Sequence, residues 1–161
     1  MTNKLIYILL IFCMGFTNAK NKEMNKVIMV VLAHPDDEAA LGVVLAKYAA
    51  AQNKIYLVIA CDGRYGVTDH AGIPAGDSLV LVRKKETECS CKIFGIETPV
   101  FLGAHDGMGL VEGIGEYFDE TEMLKEKLKQ KIEEINPGII ITFGPDGDTG
   151  HPDHRGISNI T

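Results

Sequence analysis

At 161 residues, 46% hydrophobic and 24% charged, the chain is long enough for one packed domain and too apolar to be disordered. A formal net charge of −6 and a pI of about 5.3 exclude a general nucleic-acid binder, which needs a basic face against phosphates. A small-molecule or sugar-like partner is expected instead.

The first segment, MTNKLIYILLIFCMGFTNAK, has one early lysine (Lys4), an apolar run from Leu5 to about Phe16, and the small-residue end Thr17-Asn18-Ala19. This is the layout of a signal peptide at 1–19 cleaved after Ala19, and its apolar run is too short for a comfortable membrane span. The mature protein is therefore expected to be exported, periplasmic or extracellular, with no stable membrane insertion after cleavage. Cys13 raises the alternative of a lipoprotein anchor, which the bulky Phe12 before it disfavours. The remaining cysteines, Cys61, Cys89 and Cys91, are odd in number, so they read as small buried hydrophobes rather than a disulfide framework.

From residue 26 onward, short β-rich runs alternate with helical periods. Strands are expected at 27–33, 54–60, 99–103 and 138–143, and helices at 37–52, 78–95 and 119–136. Continuous apolar strands separated by helices imply a mainly parallel sheet covered on both faces, an α/β three-layer sandwich. Asp77-Ser78 and Asp119 can cap the second and third helices, Gly95 can end the second, and Asn136-Pro137-Gly138 stops the third. The third helix carries Met123, Leu124, Leu128, Ile132 and Ile135 at helical spacing, leaving its Glu and Lys residues as a solvated face. Two glycine-bearing loops, 61–77 and 104–118, follow strands at the carboxyl edge of the sheet, where open α/β folds hold their ligands.

Four of the five histidines lie where strands end: His34, His105, His151 and His154. Two clusters share a His-Pro-Asp grammar, HPDDE at 34–38 and HPDH at 151–154. Three consecutive carboxylates at the end of a core strand repel one another unless a positive charge sits there. His34 and Asp37, three apart across a turn, can face one cation, with His154 as a third ligand from the other loop. A His₂-carboxylate set with an open position suits catalytic zinc, although Fe(II) takes the same ligand types. Asp36, beside the ligand but aimed elsewhere, is placed to take a proton from a water whose pKa the cation lowers to about 7. His151 can donate to a developing oxyanion or a leaving amine. His105 and His70 read as rim or surface residues.

AHPDDE (33–38) and GHPDH (150–154) resemble the two diagnostic motifs of the LmbE-like, or PIG-L, zinc-dependent N-acetylglucosaminyl deacetylases. DGRYG (62–66), RKKETECSCKIFGI (83–96) and FLGAHDG (101–107) resemble that family's intermediate blocks, so the likeness runs over roughly 27–161. The resemblance implies a Rossmann-like fold over a domain at 26–161, with His34, Asp37 and His154 as metal ligands. It also implies Asp36 as general base and His151 as the residue that assists the tetrahedral intermediate. Arg64 and Asp106, in those blocks, are candidate substrate contacts, although Arg64 stands where the family often has an acid.

Family members usually continue beyond the second motif, so the chain is expected to be incomplete at its C-terminus; in a complete chain of this length the fourth helix would barely start and one side of the pocket would be open. The implied activity is removal of an acetyl group from an N-acetylated amino sugar or related glycoconjugate. A related metal-dependent amidase, or a non-catalytic metal- or sugar-binding fragment, is the alternative.

Overall fold

The computed structural model describes residues 25–110 and 113–161, so the leader read at 1–19 lies outside the described residues. Strands β1 (Val27–Leu32), β2 (Lys54–Cys61), β3 (Val100–Ala104) and β4 (Ile139–Ile141) form one sheet in the order β3-β2-β1-β4. Every pairing is parallel, with Val27 opposite Lys54 and Ile28 opposite Ile139. Helices α1 (Gly42–Ala50), α2 (Asp77–Phe94), α3 (Ile114–Ile135) and α4 (Pro152–Ile160) connect and cover it.

The strand period of two divides β1 between two cores. Met29, Val31 and Ala33 join Val58, Leu102, Leu124, Leu128 of α3 and Ile157 of α4 on one face. Ile28, Val30 and Leu32 join Ile55, Leu57, Leu45 of α1 and Cys91 of α2 on the other. These are the three layers expected from the apolar runs. Each fully buried leucine of α3 contributes about 1.5–3 kcal/mol relative to exposure.

The expected elements are all present, with shifted ends. The first helix does not begin as one: Asp37–Leu41 is a 3-10 turn and the α-helix starts at Gly42. Local side-chain bonds compete with the helical turn there, because Asp37 Oδ2 accepts from His34 N at 2.7 Å and Glu38 Oε2 from Asp36 N at 2.9 Å. Asp36 is the residue before that turn, but its side chain makes no capping bond.

Helix α3 starts at Ile114 rather than 119, with Gly113 before it, because Tyr117 packs against the core and extends the apolar stripe upstream. Its polar face is not wholly solvated either. Glu120 is buried and accepts from His105 N, and Lys127 donates to Leu102 O. Asp77 lies inside α2, after Gly76, and makes no capping bond, while Gly95 (φ 73°) and Asn136 (φ 48°) end α2 and α3 in the left-handed region. Cys61 and Cys91 are buried as expected, but Cys89 is exposed on α2. Helix α4 runs for nine residues, from Pro152 to Ile160.

Candidate functional site

Parallel strands deliver their carboxyl ends to one edge, so the residues after β1 and β3 and those opening α4 converge there. They line a cleft of about 570 Å³ bounded by His34, Asp36, Asp37, Tyr65, Arg83, Asp106, Leu110, His151, Asp153 and His154, among others. Both His-Pro-Asp clusters therefore meet in one place.

The Asp37 carboxylate lies between two imidazoles. Its Oδ1 is 3.3 Å from His154 Nε2 and its Oδ2 is 3.7 Å from His34 Nδ1. Each imidazole uses its other nitrogen on the protein. His34 Nε2 meets Asp153 Oδ2 at 2.9 Å and Asp106 Oδ1 at 3.2 Å, while His154 Nδ1 lies 3.2 Å from Gly147 O. Phe143 stacks on the His154 ring at 4.0 Å and 9°, fixing its plane. Anchoring one ring nitrogen and presenting the other toward a shared carboxylate is how metal-ligating histidines are commonly held.

Protonation tells the same story. Burial opposes a charge on His34, but hydrogen bonds with Asp106, Asp153 and Asp37 outweigh it and push its pKa up to about 11. Burial would raise Asp37 and Asp106, but the His34 imidazolium beside them holds both below the usual carboxylate range. A proton on His34 thus supplies positive charge among the acids, and a divalent cation would take over that role. The donor set fits one: neutral imidazole and carboxylate are the ligand types zinc or Fe(II) accepts. The residues also offer other combinations. Ligand atoms of His34, His151 and His154 lie within 4.8 Å of one another, as do those of His34, Cys61 and Asp153.

Asp36 faces the cleft with a side chain 71% exposed and contacts Arg83. Desolvation raises its pKa, opposed by the Arg83 guanidinium. His151 opens α4, where its Nδ1 accepts from Asp153 N at 3.2 Å. Its ring centroid is 4.9 Å from those of His34 and His154. Of the two expected substrate contacts, Asp106 is in the cleft, holding His34 and accepting from Tyr65 N at 2.8 Å. Arg64 is not among the cleft residues; its guanidinium turns onto Asp62 at 2.8 and 2.9 Å. His105 stands beside Glu120, and His70 is exposed.

Three participants escaped the sequence reading. Asp153 sits inside the second motif and carries His34. Glu38 ends the first motif and holds the Asp36 N–H. Arg83 had a legible signal: with Leu79, Thr87 and Cys91 it forms the buried stripe of α2, where a charged residue demands a partner.

A family model described as "PIG-L: GlcNAc-PI de-N-acetylase" matches residues 29–161. A Bacillus cereus protein named "Probable N-acetyl-alpha-D-glucosaminyl L-malate deacetylase 2" is 31% identical over 135 residues, covering 82% of this chain and 57% of that protein. The 1D-myo-inositol 2-acetamido-2-deoxy-alpha-D-glucopyranoside deacetylase of Corynebacterium glutamicum is 32% identical, covering 88% of this chain and 53% of its own length. This chain thus spans about half the length of the curated relatives it matches. The solved N,N'-diacetylchitobiose deacetylase of Pyrococcus horikoshii shares the fold, with a TM-score of 0.65 at 24% identity over 84% of this chain and 47% of that one.

Proposed function

The chain belongs to the PIG-L family of de-N-acetylases, and on that premise we propose that it hydrolyses the acetamide of an N-acetylated amino-sugar conjugate. The observation that carries the reading is the Asp37 carboxylate set between His34 and His154, with the Asp36 carboxylate exposed in the same cleft. The relatives support the substrate class, being named for deacetylation of glucosaminyl malate and glucosaminyl inositol.

His34, Asp37 and His154 would hold a divalent cation, and we infer zinc from a His₂-carboxylate set with room for a further ligand. When bound, the cation supplies Lewis acidity, lowering the pKa of water and polarising the acetyl carbonyl. Asp36 is the general base: it takes the proton of the attacking water and returns a proton to the nitrogen as the C–N bond breaks. His151 donates to the oxygen on which charge develops. Asp153 and Asp106 keep His34 oriented, and Tyr65 and Leu110 give the cleft apolar surface beside the polar cluster. The products are acetate and a free amine. We place this activity in one domain at 26–161, acting on a small-molecule substrate.

Export is part of the proposal and rests on the leader pattern of residues 1–19. Among the described residues, no helix is long and apolar enough to cross a membrane. The activity is tested by incubating zinc-loaded protein with N-acetylglucosaminyl inositol, N-acetylglucosaminyl malate and N,N'-diacetylchitobiose. Acetate release that a chelator abolishes and zinc restores is the expected outcome. No acetate from any of the three, by folded and metal-loaded protein, sinks the reading.

A further inference from the structure

Arg83 lies on the buried stripe of α2, 9% exposed, at a position where a helix normally places an apolar residue. A guanidinium in such a place is costly unless its donors are matched. Two of its matches are backbone carbonyls from different loops: Nη1 donates to Gly63 O at 3.0 Å and Nη2 to Pro35 O. These carbonyls follow β2 and β1, so the guanidinium ties the two strand ends together. Its remaining contact, also from Nη2, is Asp36 Oδ2.

The DGRYG block explains how the guanidinium fits. A Cβ on Gly63 would stand 2.8 Å from Arg83 Nη1, and one on Gly66 would overlap the same nitrogen. Gly63 also has a positive φ of 72°, but Gly66 does not, so at Gly66 the side chain is excluded by space alone. Both glycines clear the volume that Arg83 occupies.

Asp36 is held from two sides. Its backbone is in the left-handed region (φ 104°), with its N–H donated to the buried Glu38 at 2.9 Å, and its carboxylate meets Arg83. That carboxylate is otherwise exposed to the cleft, where a lone Asp side chain samples several rotamers. We propose that Arg83, seated in a cradle cleared by Gly63 and Gly66, is the positioning residue that fixes the Asp36 carboxylate for proton transfer. The proposal rests on the reading of Asp36 as general base. It differs from a role for Arg83 as a substrate-binding cation, which its place on the cleft wall would also allow.

The test uses Arg83→Ala and Gly66→Ala in the full chain, zinc-loaded, with acetate release followed over a range of substrate concentrations. Gly66→Ala keeps the arginine and displaces its head group, so a fold lost in Arg83→Ala does not end the test. Each variant should lower kcat at least about tenfold with KM within about twofold, the signature of a misplaced reacting group. Methylguanidine should recover part of the rate in Arg83→Ala and none in Gly66→Ala, whose pocket is still filled. A raised KM at unchanged kcat, or an unchanged kcat in both variants, overturns positioning. If the wild-type protein releases no acetate, the deacetylase reading fails and crystal structures decide this one. The Asp36 carboxylate should then hold one orientation in the wild-type protein and several in Gly66→Ala; one shared orientation in both overturns the proposal.

Discussion

Replacing Asp153 by asparagine should weaken zinc binding while leaving the fold intact. Asp153 is 2% exposed, and both of its side-chain hydrogen bonds converge on one oxygen: Oδ2 meets His34 Nε2 at 2.9 Å and Gly107 N at 2.8 Å. Asparagine can place its carbonyl oxygen there and keep both bonds, so the change removes a charge rather than a contact. Loss of such a carboxylate behind a histidine ligand typically costs 10–100-fold in metal affinity, about 1.4–2.8 kcal/mol. An opposing effect is present, because Asp153 also helps raise the pKa of His34 to about 11, and its loss eases release of the proton that a cation displaces. The lower end, about tenfold, is therefore expected near neutral pH. Asp153→Ala should be worse for folding, since it strips the acceptor from both the imidazole and the Gly107 amide, at about 1–3 kcal/mol for each group left unmatched. Zinc affinity is measured by competition with a chromophoric chelator, and thermal melting of the metal-free proteins serves as the folding control. A folded Asp153→Asn that binds zinc within about twofold of wild type would refute the claim that Asp153 supports His34 as a ligand.

Asp36→Asn should retain zinc and lose deacetylation by at least about 10²-fold, whereas Asp37→Asn should lose zinc first; metal content and acetate release on the same samples separate the two. Metal-free protein should lose stability as pH rises. The His34 pKa is raised from 6.5 to about 11, so its contribution is complete below about 6.5 and disappears on passing through 11. The lowered Asp37 and Asp106 act in the opposite sense, contributing above their ordinary 3.8 and losing that as pH falls through their depressed values. Melting temperature in chelator should therefore fall between pH 7 and 10, and a flat profile would contradict the raised His34. Mass spectrometry of protein secreted by a bacterial host should give a mature start near Lys20; an intact Met1 on cytoplasmic protein would contradict export.

Much of this was legible in the sequence because strands and motifs carry their own physics. VIMVVL and KIYLVIA alternate between two cores, and that two-sided burial is what a continuous apolar run requires. The Met123, Leu124, Leu128, Ile132 and Ile135 stripe seats α3 as its spacing predicts. The histidines and acids at strand ends meet because all four strands run parallel and end at one edge. Helix beginnings were less legible. Asp119 looks like a cap, yet Tyr117 finds the core and carries the helix back to Ile114. The acids of 36–38 look like a helical first turn, yet Asp37 and Glu38 bond the backbone just upstream and tighten it. Partners far apart in sequence were least legible. Nothing local in RKKETE says that Arg83 reaches across to Pro35, Asp36 and Gly63. Arg64 departs from its expected place for a local reason: its guanidinium pairs with Asp62, two residues before it, and so turns away from the cleft.

One divalent cation is expected on His34, Asp37 and His154. Anomalous diffraction at the zinc edge from crystals of zinc-loaded protein tests it most directly. A single strong peak should appear in the cleft within about 2.0–2.2 Å of an imidazole nitrogen of His34, an imidazole nitrogen of His154 and a carboxylate oxygen of Asp37. A peak held instead by His34, Cys61 and Asp153, or by the three histidines His34, His151 and His154 without Asp37, would contradict it.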